Sequence, residues 1–132
     1  MRASEVIRVV WDLRRAGDAA ARIRAAHPES TVLATALVEA DLRRRELRGV
    51  AAVVADRSGL SFRDRDGGET LAVPAASIVS LELGPMIPGS AVRPARVEHI
   101  DGPPVAFWAG ATPDQQLDTI VTLRRALGRP LG

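Results

Sequence analysis

The chain has 132 residues, no cysteine, 46% hydrophobic and 26% charged residues, which is the size of one domain with enough apolar content to bury a core without disulfide or metal staples. No run approaches the ~20 consecutive apolar residues of a membrane-spanning helix, and MRASEVIRVVWDLRR carries charges where a signal peptide needs an apolar stretch, so the expected location is the cytoplasm, including the inner face of its membrane. All 18 basic residues are Arg and 16 acids nearly cancel them, for a net charge of +2. The pI near 10.8 follows from the lack of Lys, Tyr and Cys and does not mark a nucleic-acid binder.

The first element reads as helix. Ser4 caps it, and Val6, Ile7, Val10, Trp11 and Leu13 make one apolar side while Arg8, Asp12, Arg14 and Arg15 fall elsewhere. Gly17 is read as its end and Asp18 as the cap of a second segment, AAARIRAA, stopping before Pro28, so a helical hairpin and one kinked helix serve equally.

From Thr31 the pattern changes to short strands. TVLATALVEAD (31–41) is expected as a single strand whose apolar face is Val32, Ala34, Ala36, Val38 and Ala40. GVAAVVA (49–55), closed by Asp56-Arg57-Ser58-Gly59, leads into LSFRD (60–64), with Leu60 and Phe62 inward; Asp66-Gly67-Gly68 turns into TLAV (70–73), which Pro74 cuts short. SIVSLEL (77–83) follows, then the long loop GPMIPGSAVRP (84–94), the strand ARVEHI (95–100), the turn Asp101–Pro104 and the last strand VAFWA (105–109).

Thr112-Pro113-Asp114-Gln115 is a strong helix start, and the final helix is expected to run to about Leu127, with Leu117, Ile120, Val121, Leu123 and Leu127 buried and Gly128 as the stop. About seven antiparallel strands must curl into a sandwich or barrel, with the helix across one opening.

This order resembles the pleckstrin-homology-like superfold, in particular bacterial PH and GRAM-type domains. The resemblance covers roughly residues 29–128. It rests on PESTVLATALVEA, GVAAVVADRSGLSFRD, ETLAVPAASIVSLEL, ARVEHIDGPPVAFWAG and TPDQQLDTIVTLRRAL, with Asp56, Leu60, Phe62, Val73-Pro74, Ile78 and Glu82 in the family's places. The terminal helix lacks the Trp of eukaryotic PH domains. The resemblance implies a mainly β (α+β) fold, a seven-strand partly open barrel capped by the C-terminal helix, preceded by a helical extension at 1–28 and followed by a tail at 129–132. It also implies binding of lipids, peptides or proteins without catalysis.

Arg43, Arg44, Arg45 and Arg48 fall in the first hairpin loop, where lipid-binding PH domains hold their headgroup. Guanidinium forks suit phosphate, whereas Glu39, Asp41 and Glu46 nearby suit a self-paired, solvated loop tip. The Arg-for-Lys bias also fits a GC-rich bacterial genome, so part of this Arg content reflects codon usage. His99 and Asp101 share a strand edge, but two ligands make a poor metal site, and the expectation is no metal and no cofactor. No nucleophile elbow or phosphate-cradling loop occurs, and aromatic residues at 3% are too sparse for nucleic-acid stacking.

Val6, Ile7, Val10, Trp11 and Trp108 are the candidate interface residues. Trp108 lies opposite Phe107 on the last strand, and the N-terminal helix is expected to cover it. The expected function is a non-enzymatic interaction or adaptor module for a protein partner. Its alternatives are a peripheral membrane module touching anionic lipid through Arg43–Arg48, and a small-molecule binder or enzyme with a pocket between barrel and helix. Self-association through the N-terminal helix is the second way to cover its apolar side.

Overall fold

The computed structural model describes residues 3–40, 47–85 and 92–128, with residues 3–6 and Leu37 described in their backbone alone. Helix α1 (Ala3–Ala26) is followed by strands β1 (Thr31–Ala34), β2 (Ala36–Glu39), β3 (Val50–Asp56), β4 (Gly59–Asp64), β5 (Glu69–Pro74), β6 (Ile78–Leu83), β7 (Ala95–His99) and β8 (Val105–Trp108), and then by helix α2 (Pro113–Leu127). The strands form two antiparallel four-stranded sheets of order β1-β3-β4-β5 and β2-β8-β7-β6. The α+β expectation holds, but the sheets do not close into a barrel: β5 and β6 end their sheets, and neither pairs with the other.

The expected single strand over 31–41 is two strands. At Thr35 the chain leaves the first sheet for the second, so β1 pairs with β3 and β2 pairs with β8. The Thr35 N–H still donates to the Ala51 carbonyl at 2.9 Å. The apolar alternation is split between two environments as a result: Val32 and Ala34 turn to α1, whereas Val38 and Ala40 turn to the core between the sheets. That core is centred on Phe62 of one sheet and Phe107 of the other, edge to face with ring centres 5.2 Å apart.

Helix α1 runs unbroken through Gly17. A glycine inside a helix costs about 1 kcal/mol against alanine, but the buried stripe Val9, Leu13, Ala16, Ala20, Ile23 continues in register on both sides of it. Burying Val9 and Ile23 alone is worth about 1.5 to 3 kcal/mol each, so packing wins. Ala16, Ala19 and Ala20 face Ala34, Ala51 and Ala52 of the first sheet, where small side chains let helix and sheet approach closely.

This packing explains why β3 carries no polar residue before Asp56. Val53 and Ala55 point into the core and Ala52 and Val54 point to α1, so both faces are covered. The hairpin after β3 needs Gly59, which has φ +143°; a Cβ there would lie 2.2 Å from the Val73 carbonyl oxygen.

Helix α2 has the expected limits. Thr112 caps Gln115 N–H at 3.2 Å, and Gly128 ends the helix in the left-handed conformation. Its buried stripe differs: Leu117 is exposed and Val121 half-buried, while Gln116 and Thr119 join Ile120, Leu123 and Leu127 inside. The fully buried Gln116 side chain is accommodated by the backbone. Its Oε1 accepts from the N–H groups of Ala109 (3.0 Å) and Gly110 (3.1 Å), and its Nε2 donates to the Arg93 carbonyl at 2.8 Å. Arg124 fastens the same helix to the outer strand by donating to the Leu81 carbonyl at 2.8 Å.

Candidate functional site

The first turns of α1, the bend at Thr35, the segment leading into β3 and the β4–β5 turn surround a cleft of about 450 Å³. Arg8, Asp12 and Ala16 come from the helix, Thr35 and Ala36 from the bend, Leu47, Arg48 and Gly49 from the approach to β3, Val50 and Ala51 from its first residues, and Arg65 from the turn. The Arg65 turn is held in shape by Asp64, whose Oδ1 accepts from Asp66 N–H and Gly68 N–H, both at 2.9 Å. Arg22 of α1 adds a bond from its Nη2 to the Arg65 carbonyl at 3.3 Å, which ties the turn to the helix.

Among the described residues, three guanidinium groups and one carboxylate therefore share this cleft. Asp12 pairs with Arg8 at 3.4 Å one helical turn away, an exposed pair of the kind worth a few tenths of a kcal/mol. Arg48 and Arg65 have no carboxylate partner among the described residues. Thr35, 1% exposed, forms part of the wall, and its hydroxyl is buried with no hydrogen-bond partner among the described residues.

Of the arginines expected in the first hairpin loop, Arg48 is exposed and lines this cleft; Arg43, Arg44 and Arg45 lie outside the described residues. Arg8, Thr35 and Arg65 were not legible as a group. They are far apart in the chain, and only the seating of α1 on the first sheet brings them together.

The candidate interface residues separate into two sets. Trp108 is 3% exposed, packed against Val9, Ala36 and Val92 with Leu13 beside them. It does lie opposite Phe107, and α1 covers it, so it is an internal residue and not a surface one. Ile7 and Trp11 are 59% and 53% exposed, Val10 is half-buried, and the Val6 side chain lies outside the described residues. The expected apolar side of α1 is thereby corrected. The face seated on the sheet is the Val9–Ile23 stripe, turned away from Ile7 and Trp11. The Arg14 guanidinium stands 5.7 Å over the Trp11 ring, a cation–π contact that holds the indole at the surface.

A second groove, also about 450 Å³, runs between Leu13 of α1 and Gln115, Asp118, Thr119 and Thr122 of α2, over Leu33. At the sheet rim His99 Nε2 lies 2.9 Å from the Pro103 carbonyl oxygen of its own turn, and no group of three His, Asp or Glu gathers among the described residues. On the β3–β4 hairpin the Ser58 hydroxyl, with Ser58 N–H and the Ser30 hydroxyl, holds the Asp56 carboxyl below its ordinary range.

No described helix is long and apolar enough to cross a membrane. Comparison with protein-family models, with characterised proteins and with solved structures returns no match.

Proposed function

We propose that the chain is a non-enzymatic interaction module of pleckstrin-homology-like type that docks a protein partner on the outer face of α1. The observation that carries this reading is the pair Ile7 and Trp11, one helical turn apart and more than half exposed, on a helix whose other face is already buried. Two large apolar side chains at i and i+4 form the anchor pattern by which helices engage partner surfaces, and tryptophan is enriched among residues that dominate binding energy. The strand order supports the likeness to PH domains. If β1 and β2 count as one bent strand, that strand is shared by both sheets, and α2 packs across them.

The test is co-purification from the native cell using the intact chain, Ile7→Ser and Trp11→Ser. Both variants change exposed side chains and should keep the unfolding midpoint. A partner retained by the intact chain and lost from both variants is the expected result. A partner retained equally by all three would contradict the docking face.

A further inference from the structure

We propose that the partner docked on the outer face of α1 is an acidic amphipathic helix of another protein, whose apolar side chains meet Ile7 and Trp11 while its carboxylates face the edge formed by Arg8, Arg15 and Arg22. This rests on the docking reading above and names the chemistry of what docks there.

The outer line of α1 reads Ile7, Trp11, Arg14, Asp18, all exposed, at steps of four, three and four residues. That is the spacing at which one helix presents a continuous seam to another. Ile7 and Trp11 supply its apolar part, and the Arg14 guanidinium lies over the Trp11 ring. The two edges beside this seam differ. One carries Arg8, Arg15 and Arg22, each exposed and seven residues from the next, so all three stand on one side of the helix. The other carries Val10, Gly17 and Arg24, and Arg24 is engaged on its own fold, donating to the Val32 carbonyl at 2.8 Å.

The arginine edge is not neutralised within the chain. Asp12 pairs with Arg8 at 3.4 Å, but Arg15 has no carboxylate partner among the described residues. Arg22 donates to a neutral group, the Arg65 carbonyl, at 3.3 Å. Charged side chains at such edge positions pair across a helix–helix contact, and they set which partner and which direction are accepted.

A second copy of this chain fails that requirement in both directions. In an antiparallel contact the arginine edges of the two copies lie against each other. In a parallel one each arginine edge lies against Val10, Gly17 and Arg24, which hold no carboxylate. Like charges placed across a contact oppose it. An anionic bilayer suits the arginines but not the seam, because Asp18 shares the outer line with Trp11 and would be pressed against a surface of its own sign. A helix with Asp or Glu along one edge meets the apolar pair and the arginines together.

The probe is a pair of stapled helical peptides labelled with fluorescein, with leucine along the contact line of both, glutamate at the edge positions of one and lysine at those of the other. Anisotropy of each is followed as the full chain is added. Expected is saturable binding of the glutamate peptide and none of the lysine peptide. Arg15→Glu and Arg22→Glu should each weaken the glutamate peptide about tenfold, and rising salt should weaken it further. Both side chains are exposed, so both variants should keep the wild-type melting temperature. Equal binding of the two peptides, lost from both in Ile7→Ser and Trp11→Ser, would overturn the acidic partner and leave the docking face standing. Binding that ignores Ile7→Ser and Trp11→Ser would overturn both. The chain alone should sediment as a monomer. A dimer dispersed by Trp11→Ser, adsorption to phosphatidylglycerol vesicles abolished by Trp11→Ser, or no saturable binding of the glutamate peptide would also overturn the proposal.

Discussion

Replacing Gln116 with leucine isolates the contribution of one buried polar side chain to the seating of α2. The side chain is fully buried and satisfies Ala109 N–H, Gly110 N–H and the Arg93 carbonyl. Leucine preserves approximate volume and improves helix propensity slightly, so the transfer and propensity effects favour the variant by up to about 1 kcal/mol. Against this, three backbone groups lose their partner in a water-poor place, at about 1 to 3 kcal/mol for each one left unsatisfied. The Gly110 end is buried and bears the full cost, whereas Ala109 and Arg93 are half-buried and recover part of theirs from water. The net expectation is a loss of about 2 to 4 kcal/mol, a large fraction of the 5 to 15 kcal/mol typical of a domain. Urea unfolding followed by tryptophan fluorescence measures it, because Trp108 is buried at 3% exposure and reports the transition. A midpoint change equivalent to less than about 0.5 kcal/mol would place Gln116 among neutral surface positions and refute the reasoning.

Further consequences follow from α1 and from the first hairpin. Gly17→Ala should stabilise by about 0.5 to 1 kcal/mol, because the position is helical and exposed and an added Cβ meets nothing within 4 Å; a loss of stability in a thermal melt would show that the helix does not continue through it. Ala16→Leu should cost about 1 to 3 kcal/mol by prying α1 from Ala51 and Ala34, and a neutral result by urea titration would deny the close approach. Asp56 contributes in the ionised state, since its folded carboxyl lies below the ordinary value near 3.8. Its contribution is present above that value and is lost as pH falls through the lower, folded one. Asp56→Asn should flatten that acid limb of the stability profile, and an unchanged limb would contradict the assignment.

The elements with strong local punctuation were legible in the sequence. Thr112, Pro113 and Gly128 delimit α2 as expected, and the hairpin at Asp56–Gly59 forms where its turn residues stand. The failures share a physical cause, which is that tertiary packing decided between local alternatives. Large side chains suggested Ile7 and Trp11 as the buried side of α1, yet the sheet surface above β3 is built of alanines and accepts the alanine face instead. Gly17 and Asp18 looked like a break because the stripe across them consists of small residues that carry little apolar signal. In 31–41 the period-two pattern was real, but it continues through a change of sheet at Thr35, which residue type alone does not announce. Leu117 yielded its buried place to Gln116 because the unpaired backbone at Ala109 and Gly110 needs an acceptor. The polar run-free strand β3 was the signal that a further layer covers the first sheet. Arg48 could be named from its place in a basic loop, whereas its meeting with Arg8 and Arg65 depends on how α1 lies across the fold.

Photo-cross-linking in the native cell tests the docking face of α1 most directly. A photoreactive phenylalanine derivative, which keeps a large aromatic side chain at the docking face, replaces Trp11 in one strain and the exposed Arg57, on the β3–β4 hairpin, in another. The account predicts one discrete adduct from position 11 and none from position 57, with the adduct mass separating a different protein from a second copy of this chain. No adduct at position 11, or the same adducts from both positions, would contradict it.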